Sequence, residues 1–178
     1  MADLHPARED VQLSVNPTQC DLDALAARLG KLLALKGKHL SCAESCTGGG
    51  IAYAITSVSG SSAWFQRSWV TYANQAKIDA LGVSTQTLDS NGAVSEQTAA
   101  EMLHGVQQRS GADVAVSVTG IAGPTGGTPT KPVGLVWFGF AVDQKEWLIA
   151  QQFSGDRAQV RRQAIAFALA FLVERLVE

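Results

Sequence analysis

The sequence predicts an α/β fold, a three-layer α/β/α sandwich with a mixed, mostly parallel sheet. Helical patterns alternate with short apolar runs along the chain, which is typical of helices that cross between strands. The run 113–118 is almost continuously apolar, as expected of a central strand that is covered on both faces. A hairpin pattern around residues 142–147 makes one pair of strands antiparallel, so we expect a mixed sheet.

The composition is that of one ordinary globular domain. The 178 residues are 46% hydrophobic and 17% charged, which is enough apolar material for a real core. The net charge of −2, without a large cluster of Lys and Arg, argues against a nucleic-acid partner. No apolar run reaches about 18 residues, and no charged-then-apolar leader is present, so we expect neither a membrane span nor a signal peptide.

Cysteine usage favours a reducing compartment. Cys20, Cys42 and Cys46 are too few for a disulfide framework, so we expect a cytoplasmic location. The cysteines and the three histidines lack the spacing of a zinc site, so no metal is predicted.

The first part of the chain separates into an arm and a helix. Residues 1–20 are polar and carry two prolines, so they are predicted to be a flexible arm before a domain over residues 21–178. Asp21 is the expected N-cap of the first helix. Apolar residues repeat at helical spacing over 22–33, and Gly37 ends the helix.

The remaining elements follow from periodicity, capping residues and turn signals. Strands are predicted at residues 39–43, 68–72, 113–118, 134–142 and 146–153. Helices are predicted at residues 47–58, 75–81 and 84–88, between Ser95 and Gly111, and from Gly155–Asp156 onwards.

The segment 41–52 is a strand end, a glycine-rich turn and a helix start, and Ser45 lies where strand becomes helix. Backbone N–H groups at a helix start lack intrahelical partners and favour negative charge. A hydroxyl there has the position of a nucleophile whose developing oxyanion is stabilised. Ser45 and Thr47 are equally compatible with simple helix N-caps, and local sequence does not separate the two interpretations.

A second glycine-rich segment follows the strand at 113–118. Residues 119–134 contain five glycines and three prolines, but neither a Walker motif nor G-x-G-x-x-G. A surface turn is one interpretation. Ser45 and Thr119 each follow a strand, and the carboxyl ends of parallel strands form ligand-binding crevices, which favours a binding loop.

A serine nucleophile needs a base, and the usual partners are absent. Ser45 is not in a G-x-S-x-G motif, and the histidines lie in no catalytic pattern. Tyr72 at a strand end and Lys77 one turn into the next helix are the candidates. A desolvated Lys, or a Tyr beside a Lys, can have its pKa lowered enough to be deprotonated and take a serine proton.

Several motifs in a fixed order resemble the CinA C-terminal domain family, from about residue 21 to the end of the chain. They are Ala43–Gly49, Val70–Tyr72 with Asn74 and Lys77, Gly92–Ser95, Gly120–Pro124 with Gly126–Gly127 and Lys131–Gly134, and Gly155–Arg157 with Arg161.

The resemblance implies hydrolysis of nicotinamide mononucleotide to nicotinate mononucleotide and ammonia in pyridine-nucleotide recycling, without a metal or other cofactor. By motif position Ser45 is the nucleophile, and Tyr72 and Lys77 are the activating pair. Turn N–H groups hold the oxyanion, while the second glycine-rich segment and an arginine hold the phosphate. The sequence does not separate Arg157 from Arg161. The expected substrate contacts are Thr47, Gly48, Gly49, Thr119, Gly120, Gly123, Gly126, Arg157 and Arg161.

Two other functions remain open at this level. One is a non-catalytic nucleotide-binding module of a competence- or damage-inducible protein, and the other is a related amidase with a different amide substrate. An ammonia assay separates catalysis from binding. Small residues on the helix at 47–58, with Trp64 and Phe65, form either a dimer interface or ordinary core. The resemblance favours a homo-oligomer, with a dimer preferred.

Overall fold

A computed structural model describes residues 16–178, which form one five-stranded sheet with helices on both faces. The strands are β1 (Leu40–Glu44), β2 (Phe65–Val70), β3 (Val114–Gly120), β4 (Leu135–Val142) and β5 (Lys145–Gln152). The helices are α1 (Gln19–Lys36), α2 (Gly50–Thr56), α3 (Asn74–Leu81), α4 (Thr85–Asn91), α5 (Glu96–Ser110) and α6 (Arg157–Val177), and a single 3₁₀ turn at Ser61–Ala63 precedes β2.

The sheet is mixed, as predicted, with the strand order β2–β1–β3–β4–β5. β1 pairs in parallel with β2 and β3, whereas β3–β4 and β4–β5 are antiparallel, so β4 runs against the other four described strands. The hairpin β4–β5 is the predicted antiparallel pair, but the antiparallel β3–β4 pair was not predicted. Residues 121–134 contain no helix, and without a crossover helix the chain returns antiparallel.

Both faces of the sheet are covered. α1, α2 and α6 pack on one face, over side chains such as Leu40, Val116 and Phe138. α3, α4 and α5 cover the other face, over Ala43 and Ala115. This double cover explains why β1 and β3 are buried along almost their whole length, as the apolar run in β3 predicts.

Aromatic stacking holds α6 against β4. The Phe138 and Phe167 ring centroids lie 4.9 Å apart, and those of Phe140 and Phe171 lie 4.2 Å apart. Such ring pairs contribute stabilisation beyond the area that they bury. The packing fixes the register of α6 and therefore the position of its first two turns at the edge of the sheet.

The helix ends are set by caps, one of which differs from its prediction. Thr18, not Asp21, is the N-cap of α1, and Asp21 is the third helical residue of a capping box with Thr18. Gly37, Gly82 and Gly111 end α1, α3 and α5 as predicted, each in the left-handed conformation.

Two element boundaries also differ from their predictions. α2 begins at Gly50 rather than at residue 47, because Gly48 and Gly49 adopt φ values of 59° and 91° that a right-handed helix does not accommodate. β2 spans Phe65–Val70 rather than 68–72, so Tyr72 lies two residues beyond its end.

Of the two interpretations of Trp64 and Phe65, the structure favours ordinary core, with Phe65 partly buried against it. Trp64 is buried against α1, where a Cβ on Gly30 would lie 2.5 Å from the indole. Gly50 of α2 likewise packs against Ile165 of α6, so Gly30 and Gly50 both allow close packing within the core. The dimer itself stays a prediction.

The predicted N-terminal arm lies mostly outside the described residues, and its flexibility stays a prediction. α1 begins at Gln19, within the predicted arm. Within residues 16–178, no helix has both the length and the apolar character needed to cross a bilayer.

Candidate active site

The carboxyl ends of β2, β1 and β3 meet at one edge of the sheet. Ser45 follows β1 directly, and its N–H donates to the Val118 carbonyl of β3 at 3.0 Å. On the other side, the N–H of Thr71 donates to the Glu44 carbonyl at 2.8 Å. The connection after β1 runs over one face and the connection after β2 over the other, so this edge opens between them, as the strand arrangement predicts.

A buried lysine contacts the hydroxyl of Ser45. The Lys77 Nζ lies 3.0 Å from the Ser45 Oγ, and it also donates to the carbonyls of Thr71 at 2.7 Å and Tyr72 at 3.5 Å. Lys77 is only 1% exposed and Ser45 is 8% exposed. α3 brings the lysine to this position because its first turn follows β2, whose end lies beside β1.

Burial lowers the pKa of Lys77 from its ordinary value. A neutral amine keeps two N–H donors and one lone pair. In the structure the amine donates to Ser45 Oγ and to both carbonyls; once the amine has lost its proton, the carbonyls of Thr71 and Tyr72, which can only accept, can take its two N–H donors and leave its lone pair for the Ser45 hydroxyl. Lys77 is therefore placed to accept a proton from the Ser45 hydroxyl.

Residues 45–49, here called the serine turn, lie between β1 and α2. The N–H groups at the start of α2 do not point at the Ser45 hydroxyl. The N–H groups of Ile51 and Ala52 donate to the Glu44 carboxylate at 3.0 and 2.9 Å. The expectation that the first turn of α2 faces the Ser45 hydroxyl is therefore wrong. No other described residue accepts a hydrogen bond from the N–H groups of Cys46 and Thr47, and the Cys46 N–H lies beside its own sulfur.

The predicted Tyr72 and Lys77 pair is separated in the structure. The Tyr72 phenol accepts a hydrogen bond from Arg157 at 2.7 Å, whereas only its backbone carbonyl meets Lys77. Arg157 also donates to the Gly123 carbonyl at 2.9 Å, so it links the segment after β2 with the second glycine-rich segment. The ring of Tyr72 is 60% exposed at the mouth of the site.

Arg157 and Arg161, which the sequence did not distinguish, occupy different places. Arg157 lines the cleft. Arg161 lies behind the serine turn, where its guanidinium donates to the Thr47 carbonyl at 2.9 Å and would lie 3.2 Å from a Cβ on Gly48.

The other predicted substrate contacts divide in the same way. The Thr47 hydroxyl donates to the Glu44 carboxylate at 2.6 Å and is fully buried. Thr119 and Gly120 line the cleft, although the Thr119 hydroxyl donates to the Ala93 carbonyl at 2.7 Å. Thr47, Gly48, Gly49, Gly123, Gly126 and Arg161 are not among the residues that line the cleft.

The cleft has a volume of about 180 Å³ and is lined by Ser45, Cys46, Tyr72, Lys77, Ala93, Val94, Thr119, Gly120, Ala122 and Arg157. Its described lining includes the Arg157 guanidinium and no carboxylate, which suits an anionic substrate. An open depression of about 600 Å³ adjoins it at Val94.

Reasoning from the site chemistry missed the wall formed by Ala93 and Val94. The motif Gly92–Ser95 was the available signal, but a segment between two helices carries no chemistry that would assign it to a site.

Cys46 and the other cysteines are free thiols. Burial raises the pKa of Cys46 to about 12, so its thiol stays protonated at neutral pH and does not compete with Ser45 as a nucleophile. Within the described part of the chain, no three His, Cys, Asp or Glu residues gather as a possible metal site.

Comparison of the chain with known proteins identifies relatives in both sequence and structure. The family model described as the CinA C-terminal domain matches residues 22–176. A nicotinamide-nucleotide amidohydrolase PncC from Enterobacter agglomerans is 56% identical over 158 residues, which cover 88% of this chain and 96% of the relative. The PncC of Escherichia coli K12 is 48% identical over 162 residues, covering 90% and 98%. The crystal structure of a competence/damage inducible protein from Agrobacterium tumefaciens superposes with a TM-score of 0.86 at 44% identity, covering 93% of this chain and all of that one.

Proposed function

The chain belongs to the CinA C-terminal domain family, and we propose that it hydrolyses the carboxamide of nicotinamide mononucleotide to nicotinate mononucleotide and ammonia. The names of its 56% and 48% identical relatives support this substrate, since the alignments cover most of both chains. Among the residues that the structure describes, the cleft lining contains Arg157 and no carboxylate, which supports a phosphorylated substrate.

The observation that carries the proposal is the contact between the Lys77 amine and the Ser45 hydroxyl at 3.0 Å. Burial of the Lys77 amine costs free energy and lowers its pKa. A purely structural or binding role does not need a buried amine of this kind. The contact favours catalysis over a non-catalytic nucleotide-binding module.

In the proposed reaction, Ser45 Oγ attacks the carboxamide carbon while its proton passes to Lys77 Nζ. The carbonyl oxygen becomes an oxyanion that the Cys46 N–H, which donates to no other described residue, stabilises. Lys77 then returns the proton to the leaving nitrogen, ammonia departs and an acyl-serine remains. Water attacks the acyl group with Lys77 again as the base, which releases the acid and restores Ser45.

Tyr72 and Arg157 complete the site in this proposal. Arg157 provides a guanidinium at the mouth of the cleft, where it pairs with the substrate phosphate. The Tyr72 phenol orients that guanidinium, and Lys77 alone acts as the base. The phosphate arginine is therefore Arg157, and Arg161 supports the turn.

The test is release of ammonia from nicotinamide mononucleotide, with nicotinamide riboside as the substrate that lacks the phosphate. We expect turnover of the mononucleotide and a much higher KM for the riboside. Ser45→Ala should lose about 10⁴–10⁶-fold in kcat while it keeps the wild-type melting temperature. Absence of ammonia with the wild-type protein would overturn the proposed function, and an active Ser45→Ala variant would overturn the mechanism.

A further inference from the structure

Glu44 and Lys77 are only 0% and 1% exposed, and both adjoin Ser45. Lys77 is the candidate base, whereas Glu44, immediately before Ser45, has no place in the proposed chemistry. Its side chain is fully buried at the end of β1. Burial of a carboxylate is costly unless hydrogen bonds compensate for its lost hydration, so its position beside the reactive serine needs an explanation.

The Glu44 carboxylate joins three parts of the segment after Ser45. It accepts the Thr47 hydroxyl at 2.6 Å, the Ile51 N–H at 3.0 Å and the Ala52 N–H at 2.9 Å. Thr47 lies within the serine turn, and the two amides belong to the first turn of α2. One side chain thus ties the turn to the helix that follows it.

These bonds decide which backbone donors remain for the reaction. The carboxylate occupies N–H groups of the helix start, and the Gly48 N–H donates to the Ser45 carbonyl at 3.0 Å. The N–H of Cys46 has no acceptor in any other described residue, and Cys46 lines the cleft. The orientation of this donor depends on the shape of the turn that Glu44 holds.

We propose that Glu44 is a positioning residue for the amidase reaction: its buried carboxylate holds the serine turn so that Ser45 Oγ and the Cys46 N–H face the same substrate carbonyl. The inference rests on the proposed function. Glu44 touches no substrate and exchanges no proton, so its loss affects the alignment of groups in the transition state. Misplacement of catalytic groups by about 1 Å is sufficient to cost about 10²-fold in rate.

The test compares two glutamates that hold turns in similar ways. Glu101, on the opposite face of the sheet, accepts the Ser84 N–H at 2.7 Å and the Thr87 hydroxyl at the start of α4, and none of these residues lines the cleft. Glu44→Gln and Glu101→Gln each replace a carboxylate oxygen with an amide nitrogen. At Glu44 the amide must face at least one N–H donor, so one hydrogen bond becomes a donor–donor clash.

We expect Glu44→Gln to lower kcat for nicotinamide mononucleotide about 10²-fold, with KM and the calorimetric Kd of nicotinate mononucleotide within about threefold of wild type. Glu101→Gln should lower the melting temperature but leave kcat within about twofold. A folded Glu44→Gln variant with wild-type kcat would overturn the proposal, as would an equal loss of kcat in Glu101→Gln.

Thr47→Val decides the matter if Glu44→Gln does not fold. It removes the hydroxyl donor, while the Ile51 and Ala52 N–H groups and the Cys42 thiol still donate to the carboxylate, and we expect about a tenfold loss in kcat at unchanged KM. Wild-type kcat in a folded Thr47→Val protein would then reject the proposal. Ser45→Ala is measured beside these variants. If it is inactive while Glu44→Gln is fully active, only the positioning role fails, and the proposed function stands.

Discussion

Two glycine-rich segments lie at the same edge of the sheet, but they are built differently. Ser45, Cys46 and Thr47 of the serine turn are buried, and Glu44 and Arg161 hold the turn from two sides. The second glycine-rich segment forms a glycine–proline loop over residues 120–134. This loop contributes Gly120 and Ala122 to the cleft, and it is exposed from residue 124 to 130.

Glycine has a backbone function in each segment, but the functions differ. In the serine turn, Gly48 adopts a left-handed conformation and lets Arg161 approach closely. In the glycine–proline loop, a Cβ on Gly134 would lie 2.0 Å from the Phe153 carbonyl, so this glycine serves the packing of β4 beside β5. Glycine content therefore reports the shape of the backbone, and the buried polar bonds distinguish the segment for which we propose a catalytic role.

The largest difference in kcat should be between variants of two lysines, Lys77 beside the serine turn and Lys131 within the glycine–proline loop. Lys77→Met removes the candidate base from Ser45, and we expect a loss of about 10²–10⁴-fold in kcat. Lys131 lies in the glycine–proline loop, and its amine donates to the carbonyl of Asn91 at the end of α4. Lys131→Met removes this contact, and kcat should stay within about threefold of wild type. In the wild type, kcat should rise with pH as Lys77 loses its proton. Ammonia release across about pH 6–10 measures both effects. Equal losses in the two variants would remove the distinction between the segments.

Arg157 links Tyr72, which follows β2, with Gly123 of the glycine–proline loop, and it should control substrate affinity. We expect Arg157→Ala to raise KM for nicotinamide mononucleotide about 10–100-fold with a smaller change in kcat, because it removes a charge-assisted contact to phosphate. Arg162→Ala, an exposed neighbour on α6, is the matched control. An unchanged KM for Arg157→Ala, measured by initial rates, would place the phosphate elsewhere.

Gly48→Ala tests the serine turn directly. Its φ of 59° makes the substitution strained, and the new methyl group would lie 3.2 Å from the Arg161 guanidinium. We expect a stability loss of about 1–2 kcal/mol together with about a tenfold fall in kcat. Gly37→Ala, at a φ of 62° with no atom near the new Cβ, should show the same loss in urea unfolding with normal kcat. A slow Gly37→Ala variant would assign the fall to lost stability alone.

Gly126→Ala makes the equivalent change in the glycine–proline loop. Its φ is 91°, and the nearest atom to a new Cβ is Ile121 Cγ2 at 3.6 Å. We expect a stability loss of about 1–2 kcal/mol but kcat within about threefold of wild type. The steady-state KM also tests the predicted contact of Gly126 with substrate. A fall in kcat that matches Gly48→Ala would show that the two segments are equally involved in catalysis.

The smallest effect concerns stability and pH. Between the lowered pKa of folded Lys77 and the ordinary lysine value of 10.5, the folded state holds the neutral amine and the unfolded state holds the ammonium. The unfolded state then binds more protons, so the free energy of unfolding rises with pH in this window. Urea unfolding should show this rise in the wild type relative to Lys77→Met, and parallel pH curves for the two proteins would contradict it.

Much of the fold and part of the site follow from local patterns. Helix ends at Gly37, Gly82 and Gly111 were predictable because they depend on one residue and its conformation. The shared edge of Ser45 and Thr119 was predictable because parallel strands end together. The burial of Trp64 was not, because it depends on α1, whose Gly30 leaves space for the indole.

The polar contacts around the site form a different class. Arg157 meets Tyr72 85 residues away in the chain, and Arg161 meets Thr47 at a separation of 114 residues. Which of two arginines on one helix reaches the cleft depends on how α6 rotates against β4. That rotation is set by packing of the phenylalanine rings, so it leaves no trace in the motif Gly155–Arg157.

Local periodicity, caps and motif order were thus sufficient for the α/β class, for the membership of the family and for the edge that holds the reactive serine, because each depends on neighbours in the chain. Only the packed molecule decided that Lys77 reaches Ser45, that Tyr72 pairs with Arg157 and that Glu44 takes the N–H groups of α2. Those choices depend on which buried donors and acceptors meet when the layers close, and satisfying them is a property of the whole core.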